Sequence, residues 1–219
     1  MDAAQLLNWV RGAGLQLAVF IFLLGTVWRL IEIYSLGRKP DLAEARHVSG
    51  ASGWHTLWRR SIPIPGMMQR AGLTYIAGYG FHIGLAAVVL LFAPHIRLIH
   101  DLTGLSWPAL PSPFVDLLAV MTLVAMLVVL AERLRQPVKR FLSTFEDWLT
   151  WAVTFLPVLT GYLAARHLLL PYTLTLSLHI LSVEMLLVLL PFTKLFHAFT
   201  VWPSRWFNGD AHGRKGVAV

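Results

Sequence analysis

The chain has 219 residues, of which 57% are hydrophobic and 13% charged, and it contains no cysteine. Soluble domains carry about 25% charged residues. Half that density over the whole length excludes an ordinary soluble domain and predicts an all-α integral membrane protein. The lack of cysteine excludes disulfides, thiolate metal sites, iron–sulfur ligation by this chain and covalent haem attachment. The net charge of +7 does not indicate nucleic-acid binding, because the basic residues lie in loops between apolar runs.

Five apolar segments follow one another along the chain. A helix that crosses the hydrocarbon core needs about 20 apolar residues, and five runs reach or approach that length: 15–34, 73–93, 114–131, 148–165 and 172–195. The first run lacks a small-residue cleavage site and reads as a retained helix. No internal repeat interrupts the series. We therefore predict a single domain, residues 1–219, built as a bundle of five transmembrane helices.

The basic residues orient this bundle. Residues 36–72 hold six Lys and Arg, residues 132–146 hold four, and the tail from Lys194 holds four. The N-terminus, residues 94–113 and residues 166–171 hold one each. Because cytoplasmic loops carry the excess of basic residues, we expect the N-terminus outside and the C-terminus in the cytoplasm, with the chain in the inner membrane of the cell.

Four of the nine histidines lie in or at the ends of the second and fifth predicted spans. A buried imidazole needs a partner, because an unpaired polar group in hydrocarbon costs several kcal/mol. His179 and His197 are separated by five helical turns and would share one face of the fifth span, about 27 Å apart. His82 lies in the inner half of the second span and His95 at its outer end. Two stacked pairs of histidines are what two bis-histidine haems require.

The fourth histidine is the least defined. His82 and His95 do not share a face of an ideal helix, because thirteen residues turn it by roughly 220°. Pro94 disrupts the last turn and would let His95 swing inward. His100 is the competitor, since it lies 18 residues after His82 but beyond Pro94 and in the predicted external loop.

Specific sequence motifs around these histidines match those of a known family. They are Phe81-His-Ile-Gly84, Leu178-His179 and Leu190-Pro-Phe-Thr-Lys-Leu-Phe-His197, with weaker matches at Leu24-Gly25 through Arg29 and at Glu146-Asp147. In these motifs the chain resembles the gamma subunit of respiratory nitrate reductases. It is also similar to the related cytochrome b subunits of heterodisulfide-reductase-like and sulfite-reductase-linked membrane complexes. The resemblance covers nearly the whole chain.

The resemblance implies a di-haem cytochrome b. His82 would pair with His197 on the haem b nearer the cytoplasm, and His179 would ligate the outer haem. The gamma subunit places its second helix-2 histidine where this chain has Phe92, so His95 is the expected substitute, the heterodisulfide-reductase-like branch is the closer match, and a single-haem subunit stays open. The family implies electron transfer between quinone or quinol and a cytoplasmic iron–sulfur partner subunit of an oxidoreductase complex.

Other polar residues have weaker assignments. Arg97, His100, Asp101 and Arg166 flank the predicted outer haem and are candidates for propionate or quinone contacts. Glu184 is an intramembrane carboxylate, turned about 140° from His179, for which a proton relay and a hydrogen bond to another helix are equally open. Two other classes of protein compete with a cytochrome. One is a cofactor-free membrane anchor or assembly subunit, and the other is a transporter, against which the lack of inverted repeats counts.

Overall fold

The computed structural model describes residues 2–37, 44–46 and 51–217. Arg38 and Lys39, which contribute to the basic segment 36–72, lie outside these residues. Within the described ranges all regular structure is helical. The α-helices are α1 (Ala3–Trp9), α2 (Leu15–Ser35), α3 (Ala51–Arg59), α4 (Met67–Leu91), α5 (Ala93–Thr103), α6 (Ser112–Arg135), α7 (Pro137–Phe141), α8 (Phe145–Ala165), α9 (Tyr172–Leu189) and α10 (His197–Arg214).

Five helical stretches are long and apolar enough to cross a membrane. They are Ala3–Ser35, Met67–Leu91, Ser112–Arg135, Phe145–Ala165 and Tyr172–Phe192. The prediction of an all-α chain with five such helices is confirmed. The stretch that begins at Ala3 is 33 residues long, because the polar first turns of α1 are also helical. Large apolar side chains such as Phe20 and Ile83 are exposed on these helices, as expected for surfaces in contact with lipid.

The predicted fifth span, 172–195, is wrong in its last part. Helix α9 ends at Leu189, and two 3₁₀ turns follow, Leu190–Phe192 and Lys194–Phe196, before α10 begins at His197. Pro191 lacks the N–H that a continuing α-helix needs, and Thr193 is extended, with φ −125° and ψ 178°. His179 and His197 are therefore on two separate helices, and five turns of one helix do not relate them.

The second span also ends in a break. Phe92 is extended, with φ −83° and ψ 126°, and Pro94 lies in the first turn of a new helix, α5. Proline at this position has no N–H to donate to the carbonyl of Leu90, as a continuing α-helix would require, and it suits the first turn of a new helix. Residues 94–103, predicted as part of an external loop, are therefore mostly helical.

The helices pack in sequence-distant pairs. Helix α4 packs on α6, α9 packs on both α8 and α2, and α3 packs on α10. Small residues allow these close approaches. A Cβ on Gly84 would overlap Thr122, and one on Gly25 would lie 2.8 Å from Phe192 and 2.9 Å from Pro191. Small residues at crossings let backbones approach closely in membranes, where apolar side chains gain little by leaving lipid.

Candidate histidine pair sites

The four histidines form two pairs of facing rings. The ring centroids of His82 and His197 are 6.2 Å apart, with an interplanar angle of 80°. Those of His95 and His179 are also 6.2 Å apart, with an interplanar angle of 22°. Each pair therefore joins the α4–α5 segment to the α9–α10 segment. The structure places the ring of His95 beside that of His179, whereas the Nδ1 atom of His100 lies 3.6 Å from Asp101.

All four imidazoles are anchored in the same way. The Nδ1 atom of each ring lies within hydrogen-bond distance of a backbone carbonyl oxygen: that of His82 from Gly78 at 2.7 Å, His95 from Val88 at 3.1 Å, His179 from Pro157 at 3.0 Å and His197 from Lys194 at 2.8 Å. A carbonyl can only accept, so each Nδ1 carries the proton and donates. The Nε2 lone pair of each ring is then available to bind a metal, and a hydrogen bond at the other nitrogen orients a metal-binding histidine in this manner.

The spacing within each pair fits one metal ion between two imidazoles. Imidazole nitrogens bind transition metals at about 2 Å. Because the ring centre lies roughly 1 Å beyond the nitrogen, two rings on opposite sides of one ion have centroids about 6 Å apart. The observed 6.2 Å in both pairs matches that separation. Haem iron takes only two ligands from the protein, since the porphyrin supplies the other four. The donor set therefore fits a bis-histidine haem at each pair.

No larger cluster of metal ligands occurs in the part of the chain that the structure describes. Among those residues there is no group of three or more His, Cys, Asp or Glu side chains that could hold a metal ion. A mononuclear zinc site or a di-metal carboxylate site needs three or more such protein ligands.

The turn before His197 is held by the start of α8. The backbone N–H of Lys194 donates to Glu146 Oε1 at 2.6 Å, and Lys194 Nζ lies 2.9 Å from Asp147 Oδ1. Arg133 is a second cation beside Asp147, at 3.6 Å. The carbonyl of Lys194 accepts the hydrogen bond from His197. The two carboxylates at the start of α8 thus fix the backbone that orients one imidazole.

The broken end of α4 positions His95. The last carbonyls of a helix lack partners within that helix. Here Val88 O accepts from His95, Leu90 O accepts from the indole N–H of Trp107 at 2.6 Å, and Leu91 O accepts from the backbone N–H of Leu110 at 2.9 Å. Burial lowers the pKa of His95 from its usual value, which keeps this imidazole neutral, the form that binds metal ions.

Helix α8 forms the wall behind His179. Pro157 lies inside α8, and its carbonyl accepts from His179. A Cβ on Gly161, one turn further, would lie 2.9 Å from His179 Cε1 and 3.1 Å from Nδ1. Only glycine leaves the ring its present position. Pro157 and Gly161 were not among the residues predicted from the sequence. A proline and a glycine four residues apart within one span nevertheless indicate a specialised helix face.

The candidate residues outside the histidine pairs lie at the surface, near the end of the bundle that holds His95 and His179. Arg166 pairs with Asp116 at 3.3 Å, and His100 Nδ1 lies 3.6 Å from Asp101. Arg97 is exposed on α5. Among the described residues, no ion pair or hydrogen bond joins Arg97, His100 or Arg166 to His95 or His179. The structure does not bring them into the histidine pair.

The chain is similar in sequence to a known protein. A protein of Nitratidesulfovibrio vulgaris strain Hildenborough, described only as "Protein", is 32% identical over 192 residues, which cover 88% of this chain and 82% of the relative. No family model matches the chain, and no solved structure matches it. At this identity and coverage, the chain belongs to the same family as the Nitratidesulfovibrio vulgaris protein.

Proposed function

We propose that the chain is the membrane-anchoring cytochrome b subunit of a respiratory oxidoreductase complex, passing electrons between the quinone pool and a cytoplasmic iron–sulfur subunit. One observation carries the proposal. Two pairs of imidazoles are set 6.2 Å apart, and every ring has its Nδ1 tied to a backbone carbonyl and its Nε2 available. His212 also has its Nδ1 beside a backbone carbonyl, so the paired centroid separation is what distinguishes the four candidate histidines.

The four histidines have separate roles in this proposal. His82 and His197 hold one haem b, and His95 and His179 hold the other. A haem held by two imidazoles in this way would exchange single electrons and would not bind oxygen. The backbone carbonyls at Nδ1 keep each imidazole in one tautomer and orientation, which preserves ligation in both oxidation states and makes the imidazole a stronger donor.

The ends of the bundle receive different partners in this scheme. The excess of basic residues in 36–72, 132–146 and the tail favours the cytoplasm for the end that carries His197. The iron–sulfur subunit would then dock beside His82 and His197. Quinol would react at the opposite end, beside His95 and His179, where Arg97, His100 and Arg166 are candidates for contacts with quinone or haem propionates. Direction of electron flow depends on the partner's potential.

A reduced-minus-oxidised spectrum with haem quantitation tests the proposal. We expect the purified full chain to contain two b-type haems, and His197→Ala to lose one of them while the protein still inserts and purifies. His212→Ala is the matched control and should keep both, since this histidine has the same hydrogen bond from Nδ1 to a backbone carbonyl but lies outside the pairs. Wild-type protein without haem, or unchanged haem content in His197→Ala, would contradict it and favour a cofactor-free anchor.

A further inference from the structure

Within the part of the chain that the structure describes, one carboxylate is buried in the apolar bundle with an oxygen that has no hydrogen-bond partner. Glu184, on α9, is 6% exposed, and its Oε1 has no hydrogen-bond partner among the described residues. It follows His179 by five residues, about 8 Å along an ideal helix. Ionisable residues inside membranes are costly and usually functional. Packing by itself gives no reason for a carboxylate here, because leucine would fill a similar volume without a desolvation cost.

The helix opposite Glu184 is interrupted at the point of contact. Between α1 and α2, residues Val10–Gly14 form a π-helical turn, in which Gly12 has the non-helical angles φ −102° and ψ −105°. A Cβ on Gly14 would lie 2.8 Å from Glu184 Oε1 and 3.2 Å from Oε2. Both carboxylate oxygens therefore occupy space that the absent side chain of Gly14 leaves open. Single π-helical turns within α-helices occur frequently at functional sites.

No described cation neutralises Glu184. Helix α9 packs against α1, the π-helical turn, α2 and α8. Besides Glu184, the titratable residues of these elements and of α9 itself are Arg11, Arg29, Glu32, Tyr34, Glu146, Asp147, Tyr162, Tyr172 and His179. Arg11 is exposed, Arg29 pairs with Glu32 at 2.6 Å, and Glu146 and Asp147 hold Lys194 at the far end of α8. His179 donates to Pro157.

We propose that Glu184 is a proton-binding site coupled to the redox state of the His95–His179 centre. The inference rests on the proposed function. An isolated carboxylate in low dielectric is strongly destabilised unless positive charge lies nearby. A ferric bis-imidazole core has that charge, and one electron, which quinol supplies under the proposed function, cancels it. Glu184 then binds one proton from the aqueous phase, forming an O–H bond, and releases it when the electron leaves.

The pH dependence of the two midpoint potentials tests this coupling in the full chain in lipid nanodiscs. We expect the potential of the His95–His179 haem to fall as pH rises, since reduction takes up a proton, and Glu184→Gln to lose this slope. Glu132→Gln is the matched control. Glu132 is also poorly exposed, at 12% of its side chain, but its carboxylate is already paired, accepting from Gln136 at 2.6 Å. Its removal should leave the slope unchanged.

Infrared difference spectra of wild-type protein give a readout that needs no variant. Reduction should produce a carboxylic C=O band that shifts in D₂O. A slope that survives in Glu184→Gln, or the absence of a redox-induced carboxylic band, would overturn the coupling. Two b-type haems with potentials independent of pH would overturn the coupling and leave the proposed function intact. A purified chain without haem would overturn both.

Discussion

The imidazole planes of His95 and His179 lie 22° apart, nearly parallel. The planes of His82 and His197 lie 80° apart at the same centroid separation of 6.2 Å. The hydrogen bonds to Val88, Pro157, Gly78 and Lys194 set these orientations, because each fixes a ring about its Cβ–Cγ bond. The two pairs therefore have the same centroid separation and differ in the angle between their ring planes.

This difference predicts two distinct ferric signals in electron paramagnetic resonance. The mutual angle of the two axial imidazole planes governs the anisotropy of a low-spin ferric haem. We expect a highly anisotropic signal from the His82–His197 site and a rhombic one from the His95–His179 site. His197→Ala should remove the first and His179→Ala the second. Two identical signals in the oxidised wild-type protein would contradict the observed ring geometry.

The pairing predicts which variants share a loss. If His82 and His197 hold one haem, each single alanine variant should lose the same spectral component, and the double variant should lose no more. Combining His82→Ala with His179→Ala should instead remove both haems. Haem quantitation per chain measures this directly. A double variant His82→Ala/His197→Ala that retains less haem than either single variant would show that the pairs are assigned wrongly.

Gly161 predicts a site-specific loss at a residue that cannot bind iron. In Gly161→Ala the new methyl group meets the His179 ring within contact distance, at 2.9 Å from Cε1, and must displace it. We expect the His95–His179 haem to be lost or shifted in potential, and the other haem to be unaffected. Gly80→Ala is the control, because its methyl group would meet only Ala125, at 3.9 Å. Equal spectra for the two variants would contradict the proposed role of Gly161.

Glu146 predicts a loss confined to the other pair. Glu146→Leu leaves the backbone N–H of Lys194 without its acceptor, so the turn before His197 loses one of its links to α8. Because Lys194 O orients His197, we expect weaker retention of the His82–His197 haem, measured as its rate of release on dilution in detergent. Glu146→Gln keeps an acceptor oxygen and should retain the haem. A leucine variant with wild-type retention would exclude this positioning role.

We expect a substitution at Gly84 to change the stability of the whole protein and not one histidine pair alone. A methyl group at this position would overlap the hydroxyl group of Thr122, which is fully buried in α6. Overpacking of this kind costs typically about 1–3 kcal/mol, so Gly84→Ala should lower the thermal denaturation midpoint of the protein in detergent. Adding Thr122→Ala should restore part of the loss. Unchanged stability in the single variant would show that α4 and α6 can separate freely.

Composition and the lengths of the apolar runs predict the class of fold and most of the paired histidines, with His95 and His100 left as alternatives for the fourth. Low charge density and five apolar runs require five long helices, because backbone polar groups in lipid must be satisfied within each segment. The same runs make His82 and His179 conspicuous, since an imidazole in hydrocarbon needs a partner. These features depend on composition and length, which hydropathy detects well.

The resemblance implied which histidines pair, but how their rings come together depends on the three-dimensional structure. The breaks at Phe92 and Pro191 redirect the chain, so His95 reaches His179 from a separate helix and His197 starts another one, a result that ideal helical periodicity across 172–195 could not give. The space opposite Glu184 depends likewise on a π-helical turn twelve residues into the chain. Backbone dihedrals at a few positions set these relationships, and they depend on contacts between segments far apart in sequence, which a local pattern of apolar residues does not encode.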